Sequence, residues 1–145
     1  MNIDKVKQEI KGPASLIMLP FDSNLELDID NLKNNLQYTL DEGMGTGRGF
    51  WIVPCGTGEY LNITAAEHKS IVETASEIGK GKIPIVAGCA GINIKEVIDL
   101  INQSEEAGAD YVMVPPPYYD AIDEEAIYEW YRILAESTNL WLVIY

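Results

Sequence analysis

Five short apolar runs punctuate the chain, beginning near residues 14, 50, 83, 110 and 140, and each pair is separated by a stretch whose apolar residues recur at three and four. Unbroken apolar runs of this length belong to buried strands and a period of 3.6 belongs to helices, so the pattern predicts strand and helix alternating every thirty or so residues. That repeat confines the fold to α/β architectures with a parallel sheet, because a strand that returns parallel needs a long crossover. Two architectures stay open on periodicity alone. One is an open doubly wound sheet, which five strands can complete. The other is a (β/α)8 barrel, which typically needs about 250 residues and of which five strands and four helices make a little over half.

The individual runs carry their own punctuation. Ala14 to Leu19, closed by Pro20, reads as a strand buried on both faces. Asp28 or Asp30 can cap a helix carrying Ile29, Leu32, Leu36 and Leu40 that ends near Gly43. The glycine-rich Gly43 to Gly49 has neither the Gly-x-Gly-x-x-Gly spacing nor a Gly-Lys-Ser/Thr, and it precedes a strand where a phosphate loop must follow one, so it reads as a flexible connection. Phe50 to Pro54 is the second strand. Thr64 and Glu67 have the spacing of a capping box, ahead of a helix with Ile71, Val72, Ala75 and Ile78 on one face. Ile83 to Ala87 is the third strand, and Asn93 caps a helix aligned by Ile94, Val97, Ile98 and Ile101. Tyr111 to Val114 is the fourth, ended by Pro115, Pro116 and Pro117, none of which can donate to a ladder. A helix from about Asp123 carries Ile127, Trp130, Tyr131 and Leu134, and Leu140 to Tyr145 is the fifth strand.

Charge excludes some partners. Ten Lys and Arg against 23 Asp and Glu give a net charge of −13, the wrong sign for holding nucleic acid or an anionic membrane surface. No apolar run approaches the ~20 residues of a membrane span, and Met1 to Gly12 lacks a signal peptide's apolar centre, so a cytoplasmic protein is expected. Cys55 and Cys89 both fall just past strands, and without export features they read as free thiols rather than a disulfide. His68, the only histidine, reads as a solvent-facing residue in the first turn of its helix. A single histidine removes His-x-x-x-His zinc sites and weighs against a Ser-His-Asp triad, and no metal or cofactor is expected.

The chemistry concentrates at Pro54-Cys55-Gly56-Thr57-Gly58-Glu59-Tyr60, where the second strand opens into a loop. In parallel α/β proteins the carboxyl ends of the strands are where ligands bind, since the backbone there is free of the ladder. Gly56 and Gly58 let the chain approach a ligand closely, and Thr57 offers a hydroxyl and an N–H to a carboxylate. A tight strand-to-helix turn with a surface threonine fits the same residues.

Gly56-Thr-Gly-Glu59, Pro117-Tyr-Tyr119 and Leu142-Val-Ile-Tyr145, taken together, resemble the dihydrodipicolinate synthase and N-acetylneuraminate lyase family of Schiff-base aldolases. Leu19-Pro-Phe21-Asp22, the segment Leu61 to His68, and Glu106-Ala-Gly-Ala-Asp110 extend the likeness over nearly the whole chain. The resemblance implies a (β/α)8 barrel, here its first five strands. It implies a lyase acting on pyruvate or another 2-keto acid through an imine formed by a lysine on strand six, which lies beyond this chain. It assigns Thr57 and the following Gly58 amide to the substrate carboxylate, Tyr145 to proton transfer, and Tyr119 to a reach across a dimer interface into a neighbour's relay. Most members have Thr-Thr before the Gly-Glu, whereas here the first is Gly56, a variant that looks like the branch dehydrating deoxy-keto-sugar acids. Packing readings stay beside these roles: Tyr118 and Tyr119 as packing aromatics, Tyr145 as the end of a core strand.

The eight lysines lie in the lead-in, on helices or before strand three, none at a strand's carboxyl end. The chain alone therefore also reads as a non-catalytic half-barrel that binds ligand or assembles. Its first and fifth strands would each keep an unpaired side, and a homo-oligomer, as a dimer or tetramer, is the expected state.

Overall fold

The computed structural model describes residues 3–119 and 121–145. Five parallel strands, β1 (Ala14–Leu16), β2 (Phe50–Ile52), β3 (Ile85–Gly88), β4 (Tyr111–Val114) and β5 (Trp141–Ile144), form one sheet in the order β1-β2-β3-β4-β5. Each pairs parallel with the next, with Ser15 opposite Trp51, Val86 opposite Tyr111, and Val112 opposite Leu142. The order never reverses. A doubly wound sheet has a switch point that puts helices on both faces, so a strictly sequential order with all the crossover helices on one face is the barrel alternative.

The crossovers are α2 (Ile29–Asp41), α3 (Ala65–Gly79), α4 (Ile94–Glu106) and α5 (Glu124–Glu136). Their starts are fixed by the side chains that the sequence offers. Asp28, Asn93 and Asp123 each accept a hydrogen bond from a backbone N–H of the first turn. Thr64 and Glu67 form a reciprocal capping box, with the Thr64 N–H donating to Glu67 Oε2 at 2.7 Å and the Glu67 N–H donating to Thr64 Oγ1 at 3.2 Å.

Alternation along the strands sorts the apolar side chains into two faces. Toward the helices, Trp51, Val53 and Ile85 pack with Leu32 and Leu36 of α2 and Ile71 and Ala75 of α3. Farther along the same face, Ala87, Val112 and Val114 pack with Val97 and Ile101 of α4 and Trp130 and Leu134 of α5. Trp51 is fully buried, and its indole N–H donates to Thr39 Oγ1 at 2.7 Å, tying β2 to α2. The opposite, concave face carries Ile52, Val86 and Tyr111.

Four expectations need correction. The polar lead-in contains a helix, α1 (Ile3–Glu9), which makes five helices rather than four. Its Val6 and the following Ile10 pack, half-buried, against the concave-face cluster of Ile52, Cys55, Val86 and Tyr111, and Tyr111 donates its phenol to Glu9 Oε2 at 2.6 Å. Two apolar residues in seven, Ile3 and Val6, are too few for periodicity to reveal, so the helix is set by tertiary packing. Second, β1 is an edge strand with Ala14 and Leu16 exposed, not a strand buried on both faces. Third, Gly43 to Gly49 is a set of hydrogen-bonded turns pinned to the segment before β3 by the Thr46 N–H and hydroxyl, which donate to the Lys82 carbonyl at 2.9 and 3.2 Å. Fourth, His68 is buried, and Nε2 lies 2.9 Å from the Gly88 carbonyl of β3. Cys55 and Cys89 are free and buried, as expected.

Candidate active site

The loop after β2 is built by sulfur and glycine together. The Cys55 thiol donates to the Ile17 carbonyl at 3.7 Å and accepts from the Gly58 N–H at 3.3 Å, which stitches the loop to the end of β1. A Cβ at Gly58 would fall 2.3 Å from the Ile17 carbonyl oxygen, so only glycine fits that crossing. The chain then turns sharply: Glu59 takes a left-handed conformation (φ 65°), its N–H donates to the Gly56 carbonyl at 3.0 Å, and the Tyr60 N–H donates to the Cys55 carbonyl at 3.1 Å. Tyr60 opens a short 3₁₀ turn, Tyr60–Asn62. The Val53–Pro54 bond that leads into the loop is cis.

This turn leaves Gly56 and Thr57 at the surface of a cavity of about 300 Å³ on the concave face. Ala14, Leu16, Ile52 and Met113 from the strands give it apolar walls. Its rim comes from residues that follow strands: Gly56, Thr57 and Tyr60 after β2, Cys89 after β3, Pro115 after β4 and Tyr145 after β5. The opening therefore lies at the carboxyl ends of the strands, where backbone amides are not consumed by the ladder.

Thr57, Gly56 and Tyr145 thus come together in one cavity although β2 and β5 are separated by two strands. Gly58 does not line it, and its N–H is turned toward the Cys55 sulfur. Tyr119 stands 80% exposed on the loop after β4, outside the cavity. Tyr60 ends the stretch on which the sequence concentrates the chemistry but receives no role there, because its place depends on the left-handed turn at Glu59, and nothing in the sequence announces a left-handed glutamate. No lysine is among the cavity's lining residues.

Burial favours the neutral form of three ionisable groups in the cavity, Cys55, Cys89 and Tyr60. Desolvation pushes the Cys55 thiol up, against hydrogen bonds from the Gly58 and Thr57 amides. Cys89 is pushed up to about 12, again by burial, with Ser104 opposing. Tyr60 is raised first by burial and then by the neighbouring Tyr118, Cys55 and Tyr145. These thiols are poor nucleophiles at neutral pH, and the phenol of Tyr60 keeps its proton.

A second cleft, about 360 Å³, lies on the helix side between α3 and α4 and shares Tyr60 and Gly88 with the first. His68 and Gln103 line it, and His68 Nδ1 and Gln103 Oε1 find no hydrogen-bond partner among the described residues. Neither cleft contains a cluster of three or more metal-ligating side chains among the described residues.

The dihydrodipicolinate synthetase family model matches residues 9–145. The 4-hydroxy-tetrahydrodipicolinate synthase of Brucella abortus is 34% identical over 137 residues, 94% of this chain and 45% of that protein. A crystal structure of dihydrodipicolinate synthase from Aquifex aeolicus superposes with a TM-score of 0.86 at 28% identity, over 94% of this chain and 45% of that one. A structure described as the first monomeric dihydrodipicolinate synthase variant gives a TM-score of 0.85 at 31% identity, over 95% and 44%. The chain spans a little under half the length of these relatives.

Proposed function

The chain belongs to the dihydrodipicolinate synthetase family, and from that premise we propose that its concave cavity is the amino-terminal share of a lyase site for pyruvate or another 2-keto acid. The observation that carries this reading is the meeting of Gly56, Thr57 and Tyr145 in one cavity at the strands' carboxyl ends. Thr57 offers its hydroxyl to the substrate carboxylate, a neutral hydrogen-bonding grip that leaves the keto carbon free, while the neighbouring amides stay engaged with the Cys55 sulfur. Tyr145 faces the same space with a phenol, which serves by holding and passing a proton rather than as a strong base. The imine-forming lysine comes from polypeptide outside these 145 residues. A dry apolar cavity would hold such an amine neutral, the form that attacks a carbonyl. Tyr119 is exposed on its loop, and on this reading it would reach into a neighbouring copy. The protein works in the cytoplasm on this reading, with a small keto acid as its partner and no cofactor.

The absence of lysine from the lining favours a second reading for the 145 residues by themselves: they bind the acid without turning it over. Borohydride treatment in the presence of pyruvate, or of a deoxy-keto-sugar acid, tests both. No covalent adduct is expected on the chain alone, whereas NMR should show pyruvate moving the amides of Gly56 and Thr57. An adduct on the chain would defeat the second reading. Undisturbed amides at saturating acid would defeat the first.

A further inference from the structure

The concave cavity is apolar apart from its rim, and the side chains there that carry hydroxyls are those of Thr57, Tyr60 and Tyr145. Two have a role in the reading above. Tyr60 has none, yet the local backbone places it with care. The left-handed turn at Glu59 folds its ring back over Gly56, where a Cβ would lie 3.2 Å from Tyr60 Cε1 and 3.9 Å from Cδ1. Cε1 is bonded to the carbon that carries the hydroxyl, so the hydroxyl end of the ring is the end held against the loop. Any side chain at position 56 would crowd it, and glycine is what lets the phenol occupy this spot.

We propose that Tyr60 is a positioning residue of this site: with ligand bound, its hydroxyl hydrogen-bonds that of Tyr145 and fixes the phenol that faces an acid held by Thr57. The proposal rests on the reading of the cavity as a keto-acid site. Tyr60 is half-buried and lines the same cavity as Tyr145. The neighbouring Tyr118, Tyr145 and Cys55 all oppose its ionisation, which puts the three phenols in one neighbourhood and keeps the Tyr60 O–H available as a donor. Gly56 carries no hydroxyl, so the side chain at that position cannot serve instead.

The test uses the 145-residue chain labelled with ζ-¹³C-tyrosine, whose eight resonances are assigned by single Tyr→Phe changes. Without ligand, Tyr60 should titrate above its ordinary value, chiefly through burial, and Tyr145→Phe should move its midpoint down. Gly56→Ala, which keeps both hydroxyls but pushes the ring away, should give the same change. With pyruvate, the Tyr60 and Tyr145 signals should move together. Tyr60→Phe keeps the ring, so a role in packing alone would leave pyruvate affinity unchanged, whereas a positioning hydroxyl predicts a loss of about threefold or more. A Tyr60 midpoint indifferent to both Tyr145→Phe and Gly56→Ala overturns the proposal, as does unchanged pyruvate affinity in Tyr60→Phe when Thr57→Val weakens it. If pyruvate fails to bind the wild-type chain, the keto-acid reading falls, and the ligand-free titration still decides whether the two phenols are coupled.

Discussion

At the scale of single residues the site is a small set of neutral donors in an apolar cavity. Thr57→Val removes the hydroxyl while keeping the side chain's shape, so the keto-acid carboxylate would lose one buried hydrogen bond. A loss of about 1 to 3 kcal/mol in binding is expected, readable by calorimetry as a roughly 5- to 150-fold rise in Kd. His68 makes a different prediction, because it works through pH. Burial pulls its imidazole below the ordinary 6.5, against the Gly88 carbonyl, which favours the charged form. A proton therefore binds the unfolded chain more readily than the folded one. The His68 contribution is intact above pH 6.5 and is lost as pH falls from there toward the lowered folded value. Denaturation midpoints measured from about pH 7.5 down to 5.5 should fall more steeply in the wild type than in His68→Gln. Equal slopes would mean that the imidazole titrates alike in both states.

At the scale of elements, much of the organisation was legible because each signal is local. Thr64 and Glu67, Asn93 and Asp123 announce helix starts by side-chain chemistry, and Pro115 ends β4 by lacking an N–H. Thr64→Ala should accordingly cost about 1 kcal/mol, seen as a lower midpoint in urea with an unchanged slope, since it releases one cap without changing the core. What was not legible depends on contacts remote in sequence. Nothing in Ile3 to Glu9 states that Val6 will pack against the cluster of Ile52, Val86 and Tyr111, or that Glu9 will accept from Tyr111. Likewise the burial of His68 follows from the approach of α3 to β3, which a first-turn position on a capped helix does not reveal. The site divides in the same way. Thr57 and Tyr145 stood out by motif, whereas Tyr60 is brought in by a left-handed residue, and the Gly58 amide is taken by the Cys55 sulfur.

At the scale of the molecule, the sheet is open along β1 and β5, and its concave face is covered only in part. Part of this face is covered by α1, whose Val6, with the following Ile10, packs half-buried against the cluster of Ile52, Cys55, Val86 and Tyr111. The upper portion and the edges stay uncovered: Leu16 is 44% exposed, Met18 53%, Ile144 64% and Tyr145 82%. An edge with free ladder groups beside exposed apolar side chains is a template for another strand. The five-stranded chain is therefore expected to associate, either with a second copy or with polypeptide that pairs along both edges. Sedimentation at low micromolar concentration should give a mass above 16.1 kDa. Charged substitutions on the two edges, Leu16→Lys with Ile144→Lys, should shift it toward the monomer, whereas Leu61→Lys, exposed on the turn after β2 and outside both edge strands, should not. Binding of an apolar dye should rise as the oligomer dissociates. A monodisperse 16.1 kDa species with cooperative unfolding and no dye binding would show that α1 covers enough of the concave face for the half-barrel to stand alone.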